Sequence, residues 1–275
     1  MRFLLLALVM VAVPAAMRAQ VDVYSEFRRP GPDGAIVKQD RAGTPREILS
    51  PAVARNGSAS VFVVVNAAPG AKVTLYVGSN PEGMIQGTIY RAVMDSNGVP
   101  DVLEKVTPPF YDVLPNGVGV FLVDMFVPQL TPVRRVRFEI QFHDGDKWVI
   151  YPMEVRVVPA TVPKLMLTSG ALAPIAANSA TTAIEPLRGF VCGKTERVTL
   201  TDTNVRSMIR RNASQDAALA RMLEGQIGRE AAMAGVMKAI GAESAEQWCG
   251  SRRPPEDPEL YLRVRDYLLR TVDPK

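Results

Sequence analysis

The chain has 275 residues, of which 47% are hydrophobic and 22% charged, proportions of an ordinary folded protein that exclude global disorder. Its 20 glycines and 22 prolines follow no period, which excludes collagen-like and low-complexity classes and favours a turn-rich β protein. The formal charge of +4 falls by two once Arg2 and Arg18 are set aside as part of a removable leader, too small an excess to imply nucleic acid as a partner.

Met1-Arg2 is a short basic head, Phe3 to Val13 an apolar run, and Pro14, Ala15, Ala16 and Ala19 close the stretch. Residues 1–19 therefore read as a signal peptide, cleaved after Ala15 or Ala19, with an uncleaved N-terminal anchor as the alternative. Pro14 and Arg18 interrupt the run well short of the roughly 20 apolar residues a membrane helix needs. No later stretch reaches that length, so no transmembrane segment is expected in the mature chain, and an extracytoplasmic location, periplasmic or secreted, is expected. Two cysteines in an exported chain imply one disulfide, Cys192 with Cys249. The rival reading, Cys192 as a nucleophile beside Lys194, lacks a base nearby, because the single histidine lies in the other half of the chain.

From residue 20 to 158 short alternating or apolar runs are punctuated by Gly, Pro and Asn. Strands are expected at Asp22 to Phe27, Ala35 to Lys38, Arg46 to Leu49, Ser58 to Asn66, Lys72 to Ser79, Gly87 to Met94, Gly117 to Val127, Val133 to His143 and Trp148 to Val158. With no crossover helices between them, they predict an antiparallel immunoglobulin-like β-sandwich. The last hairpin can be read to its register. Val136, Phe138, Ile140 and Phe142 alternate with polar residues, and pairing Phe142 with Val149 sets Ile140 against Tyr151, Phe138 against Met153 and Val136 against Val155. The same register puts Arg137 opposite Glu154 on the other face.

Residues 159–186, rich in Ala, Thr, Ser and Pro, read as a linker. Beyond them the apolar period becomes helical, so 187–275 is expected to form a small disulfide-stapled helical subdomain with a thin core of its own. One helix is expected at Gln215 to Gly225 with Ser214 as N-cap, a second at Arg229 to Ile240, and a third opening at Asp257-Pro258-Glu259, with breaks at Gly225, Gly228 and Gly241. The fold class is thus mainly β plus α.

Candidate sites are few. His143 with Asp144 and Asp146 offers three potential metal ligands, yet Asp-Gly-Asp is ordinary hairpin-turn chemistry, and no metal site is expected. Asp95 to Asp101 superficially resembles a calcium loop, but its glycine falls too early and no Glu closes the span, so a solvated turn is the expectation. Three arginine clusters, Arg134-Arg135, Arg206 with Arg210 and Arg211, and Arg252-Arg253, lack interleaved aromatics and read as solvated faces. Neither a Gly-x-Ser-x-Gly turn nor a phosphate loop is present in the sequence. Asp95 to Asn116 reads as a long connection between strands carrying Pro108-Pro109-Phe110-Tyr111, and long loops often bear function. Phe110, Tyr111, Asp95 and Asp101 are therefore the candidate ligand-binding residues, with no catalytic residue and no cofactor expected.

Ser25-Glu26-Phe27-Arg28-Arg29-Pro30, Ile48-Leu49-Ser50-Pro51 and Tyr76-Val77-Gly78-Ser79-Asn80-Pro81 resemble uncharacterised secreted bacterial proteins with an immunoglobulin-like domain. The resemblance spans about residues 20 to 158 and implies export and fold, with no activity to carry to any residue. The expectation is a non-catalytic extracytoplasmic binding or assembly protein whose partner is a protein or a cell-envelope polysaccharide. The alternatives are a hydrolase with its site between the two parts, and an accessory carbohydrate- or cell-wall-binding module with exposed aromatics at Phe110, Tyr111 or Trp148 forming a flat platform.

Overall fold

The computed structural model describes residues 20–41, 50–145, 147–165, 167–169, 179–193, 198–200, 204–241, 245–250 and 258–273. The expected leader, the strand at Arg46 to Leu49, Asp146, the Arg252-Arg253 pair and the capping Asp257 lie outside the described residues.

Among the described residues two five-stranded sheets face each other. The first has the order β1 (Gln20–Ser25), β3 (Gly57–Asn66), β8 (Val118–Val127), β5 (Gln86–Met94), β6 (Pro100–Val106). The second has the order β2 (Ala52–Arg55), β10 (Trp148–Thr161), β9 (Arg135–His143), β4 (Ala71–Asn80), β7 (Asp112–Leu114). Most pairings are antiparallel, but β2 runs parallel to β10, a correction to the all-antiparallel expectation. A further short pair, β11 (Leu167–Ser169) with β12 (Val198–Leu200), is also parallel.

The β9–β10 hairpin has the expected register: Phe142 opposes Val149, Ile140 opposes Tyr151, Phe138 opposes Met153, Val136 opposes Val155 and Arg137 opposes Glu154. The outward ion pairs, however, run diagonally or along the strand, Arg135 to Glu154 and Arg137 to Glu139, each at 2.7 Å.

The central strands of the first sheet are covered on both sides, which explains why they read as nearly unbroken apolar runs. Val61, Val63 and Val65 of β3, with Phe121, Val123 and Met125 of β8, pack against Phe138 and Val155 of the second sheet. Phe62, Val64, Val120 and Leu122 point the other way and share a second core with the helices. Those helices are α1 (Ser179–Val191), α2 (Val205–Ile227), α3 (Arg229–Ile240), α4 (Ala245–Gly250) and α5 (Pro258–Thr271). The helical part therefore does not carry a core of its own, as the thin-subdomain reading required; it completes one with the outer face of the first sheet.

Several boundaries depart from the sequence expectation. The stretch read as a linker contains the end of β10 and most of α1, which holds Pro186 inside a helix. Pro186 hid the helix from a propensity reading, yet Ala183, Ile184, Leu187, Phe190 and Val191 form a buried helical stripe, and tertiary packing prevails. α2 is capped by Asn204, whose side chain accepts from the Arg206 and Ser207 amides, whereas Ser214 lies mid-helix and donates to the Arg210 carbonyl at 2.6 Å. Gly225 lies within that helix and Gly228 ends it. Ala35 to Lys38 forms an isolated bridge and the start of a 3-10 turn, not a strand. The long Asp95 to Asn116 connection contains β6 and β7; Pro100 at the first position of β6 disguised it.

Cys192 and Cys249 are disulfide-bonded, with Cα atoms 5.7 Å apart, tying the end of α1 to α4. Among the described residues no helix is long and apolar enough to cross a membrane.

Candidate functional site

Because Phe138, Ile140 and Phe142 face the inner core, the alternate residues of β9, β10 and β4 face outward in cross-strand rows. His143 lies between Trp148 and Thr74, Gln141 between Ile150 and Tyr76, Glu139 between Pro152 and Gly78, and Arg137 between Glu154 and Asn80. The rows thus pass from aromatic and apolar at one end of the face to charged at the other.

The aromatic end is exposed. Trp148 is 55% and Ile150 51% accessible. The Trp148 ring lies 4.6 Å from His143 and 5.7 Å from Tyr76, tilted by 40° and 44°, so the rings form a twisted strip in place of the flat platform expected from Phe110, Tyr111 or Trp148. At the neighbouring edge Val113 opposes Lys72, and Lys72 holds its ammonium 4.5 Å above the Tyr111 ring. Tyr111 is 59% and Val113 62% accessible. Among these groups the Thr74 hydroxyl is buried and has no hydrogen-bond partner.

The residues singled out from sequence fall in different places. Tyr111 joins the strip's edge, whereas Phe110 is half-buried against Phe121, ring centroids 6.0 Å apart. Asp95 organises the β5–β6 turn: its side chain accepts from the amides of Asn97 at 2.8 Å and Val99 at 2.9 Å. The Val99 amide bond, seconded by Asn97, holds its carboxyl below the usual range. Asp101 accepts from Asn204 at 2.7 Å and Arg206 at 3.4 Å, clasping β6 to the start of α2. Among the described residues no three His, Cys, Asp or Glu side chains gather as metal ligands.

A second constellation, unseen from sequence, lies where α2 and α5 meet the first sheet. Arg211 forks onto Asp124 at 3.0 and 2.6 Å, and Ser60 donates to Asp124 at 2.8 Å. Asn212 donates to both Ser60 and Glu26. Arg265 reaches Glu26 and Asp216, each at 2.9 Å, and stacks against the rings of Phe27 and Tyr261, while the Tyr261 hydroxyl donates to Asp216. Burial pushes the Glu26 carboxyl up, against the opposing pull of Arg265 and Asn212. Burial, with Asp216 beside it, also drives the Tyr261 hydroxyl well up. Burial would lower Arg265, but Asp216, Tyr261 and Glu26 outweigh it and keep the guanidinium charged. A raised carboxyl pKa often marks an acid–base group, yet both Glu26 oxygens are engaged, one by Arg265 and one by Asn212. The arrangement locks helices to sheet.

No family model matches the chain, and no curated protein matches it. Among solved structures it is similar to a family 123 glycoside hydrolase from Clostridium perfringens, at 9% identity over 61% of this chain and 32% of that one, TM-score 0.38. It is also similar to domains 4 and 5 of the S-layer protein SbsC, at 14% identity over 40% of this chain and 49% of that one, TM-score 0.24. A third likeness is to a PapD-like domain of human CEP192, at 11% identity over 43% of this chain and 94% of that one, TM-score 0.21. The chain thus spans about a third and a half of the first two.

Proposed function

We propose that this chain is a non-catalytic extracytoplasmic binding protein that holds a cell-envelope polysaccharide on the outer face of the second sheet of an immunoglobulin-like sandwich. The observation that carries the reading is the strip in which exposed Trp148 and Ile150 lie beside half-buried Tyr76 and His143, continued by exposed Tyr111 and Val113. A sugar ring presents apolar C–H faces edged by hydroxyls. Aromatic faces cover the former, and Gln141 and His143 supply donors and acceptors for the latter. The strip is narrow, because Glu139, Arg137 and Glu154 begin within two rows of Trp148. A protein interface instead wants roughly 800 Å² on each side around a core depleted of charge. The disulfide supports an oxidising compartment.

The test is retention of the purified protein on insoluble envelope polysaccharide. Trp148→Ala should weaken retention about thirtyfold, the effect of losing an aromatic anchor of roughly 2 kcal/mol, with thermal stability unchanged. Equal retention by a folded Trp148→Ala variant, or capture of an envelope protein with no polysaccharide retained, would overturn the reading.

A further inference from the structure

A cleft of about 360 Å³ opens where the end of β1, β2, the start of β3 and α5 come together. It lies against the polar joint and away from the aromatic strip. Its α5 wall is built by Leu262, Arg265, Asp266, Leu269 and Arg270, whose spacing puts them on one helix face. Phe27, Val61, Ala59 and Leu269 are its most buried apolar lining residues, 1%, 2%, 6% and 6% exposed. Arg156 and Arg270 are more open to solvent.

The charges of the lining are unbalanced. Arg265, Arg270 and Arg156 face the carboxylates Glu26 and Asp266. Arg265 is consumed by Glu26 and Asp216, and Arg270 by Asp266. Among the described residues Arg156 has no carboxylate partner: its Nε donates to the Ser50 carbonyl, at a long 3.4 Å. An apolar pocket walled by a cation with unspent donors matches a ligand with an apolar body and one anionic end. A neutral apolar ligand would leave the guanidinium uncompensated, and a bare anion would leave the apolar lining uncovered.

We propose that this cleft binds a small anionic amphiphile, an acyl chain ending in a carboxylate or phosphate, whose head pairs with Arg156 and whose tail lies along Leu262, Leu269 and Phe27. The site is separate from the polysaccharide strip, and its occupancy does not depend on Trp148.

Calorimetric titration of the purified full chain tests this, using sodium decanoate, decyl phosphate, decanol and inorganic phosphate, each below its micelle concentration. Decanoate or decyl phosphate should bind, the tighter of the two identifying the head group, and decanol and inorganic phosphate should bind at least tenfold more weakly. Arg156→Gln should weaken the anionic amphiphile about tenfold or more, as loss of a charge-assisted hydrogen bond implies. Arg221→Gln, an exposed arginine outside the lining, should leave binding unchanged, and Leu262→Trp, which fills the cleft, should abolish it. Decanol binding as tightly as decanoate, Arg156→Gln binding as wild type, or undiminished binding by Leu262→Trp would each overturn the proposal.

Discussion

Arg265 is the group on which the joint between helices and sheet depends most, and its replacement by Met can be worked through from the geometry. Methionine keeps much of the aliphatic stem but leaves Glu26 and Asp216, whose side chains are 2% and 4% exposed, without their shared cation. Removing one partner from a buried pair costs about 3–5 kcal/mol, and losing the stacking on Phe27 and Tyr261 at 5.6 and 5.0 Å adds to it. Arg265 keeps 15% of its side chain exposed, so water relieves part of the penalty, and about 4 kcal/mol is the expected loss. Its pH dependence has a definite direction. Burial raises the Glu26 carboxyl above its unfolded value, so the folded state holds that proton more tightly, and the stability this confers is full below the unfolded pKa and is lost as pH climbs through the folded one. Arg265 is the main influence pulling that pKa back down. Without it Glu26 rises further, and the variant loses more on the same climb. Urea unfolding with the disulfide intact should show a larger deficit for Arg265→Met near neutral pH than at about pH 4.5. A deficit below about 1 kcal/mol, or one that is equal at both pH values, would show that the pairing does not hold the joint.

Two further outcomes follow from the same coordinates. Phe138 is wholly buried between the sheets, so Phe138→Ala should cost about 3–5 kcal/mol, while Arg137→Ala on the outer face should stay within about 1 kcal/mol; comparable losses in denaturant titrations would mean the faces are misassigned. Opening the Cys192–Cys249 bridge, which spans a sequence separation of 57, by a double Ala substitution should lower stability by about 4 kcal/mol in the chain-entropy model. A midpoint unchanged between oxidised wild type and that variant would refute it.

What could be read from the sequence divides along physical lines. The β9–β10 hairpin was legible because one face is buried and the other wet, so alternation alone sets both register and facing. β3 and β8 announced themselves as strands but not what covers them: Phe62 and Val64 look the same whether they face a second sheet or a helix layer. α1 was illegible because Pro186 and a run of Thr and Ser argue locally against a helix that packing enforces. Of the candidate site, Tyr111 and Trp148 were visible as aromatics, and Trp148 with Ile150 at outward positions of a readable hairpin was a signal that a strip lay there. Tyr76 could be added only once β4 was paired with β9. Glu26, Asp216 and Arg265 carried no signal at all, since their contacts cross up to 239 residues of sequence.

The position of that polar layer has a structural logic. Apolar burial is non-directional, and a helix pair resting on Phe62, Val64 and Leu122 alone could slide or rotate with little change in buried area. Asn212 engages Ser60 and Glu26, Arg211 forks onto Asp124, and Arg265 spans Glu26 and Asp216, so sheet, α2 and α5 meet only in one arrangement. At the far end of the same layer, Asp40 accepts from Arg29 at 2.6 Å and from the Ser179 hydroxyl at 2.8 Å, fixing α1 to the chain that follows β1. Buried ion pairs add little net stability over apolar packing, but they penalise every misaligned state, in which a charge is left buried and alone. The cleft beside Arg156 lies against this layer, lined by Glu26, Ser60 and Arg265, so its shape is held by directional contacts. A ligand entering it meets a wall that is already set, and the ordering cost that usually weakens binding is met in folding instead.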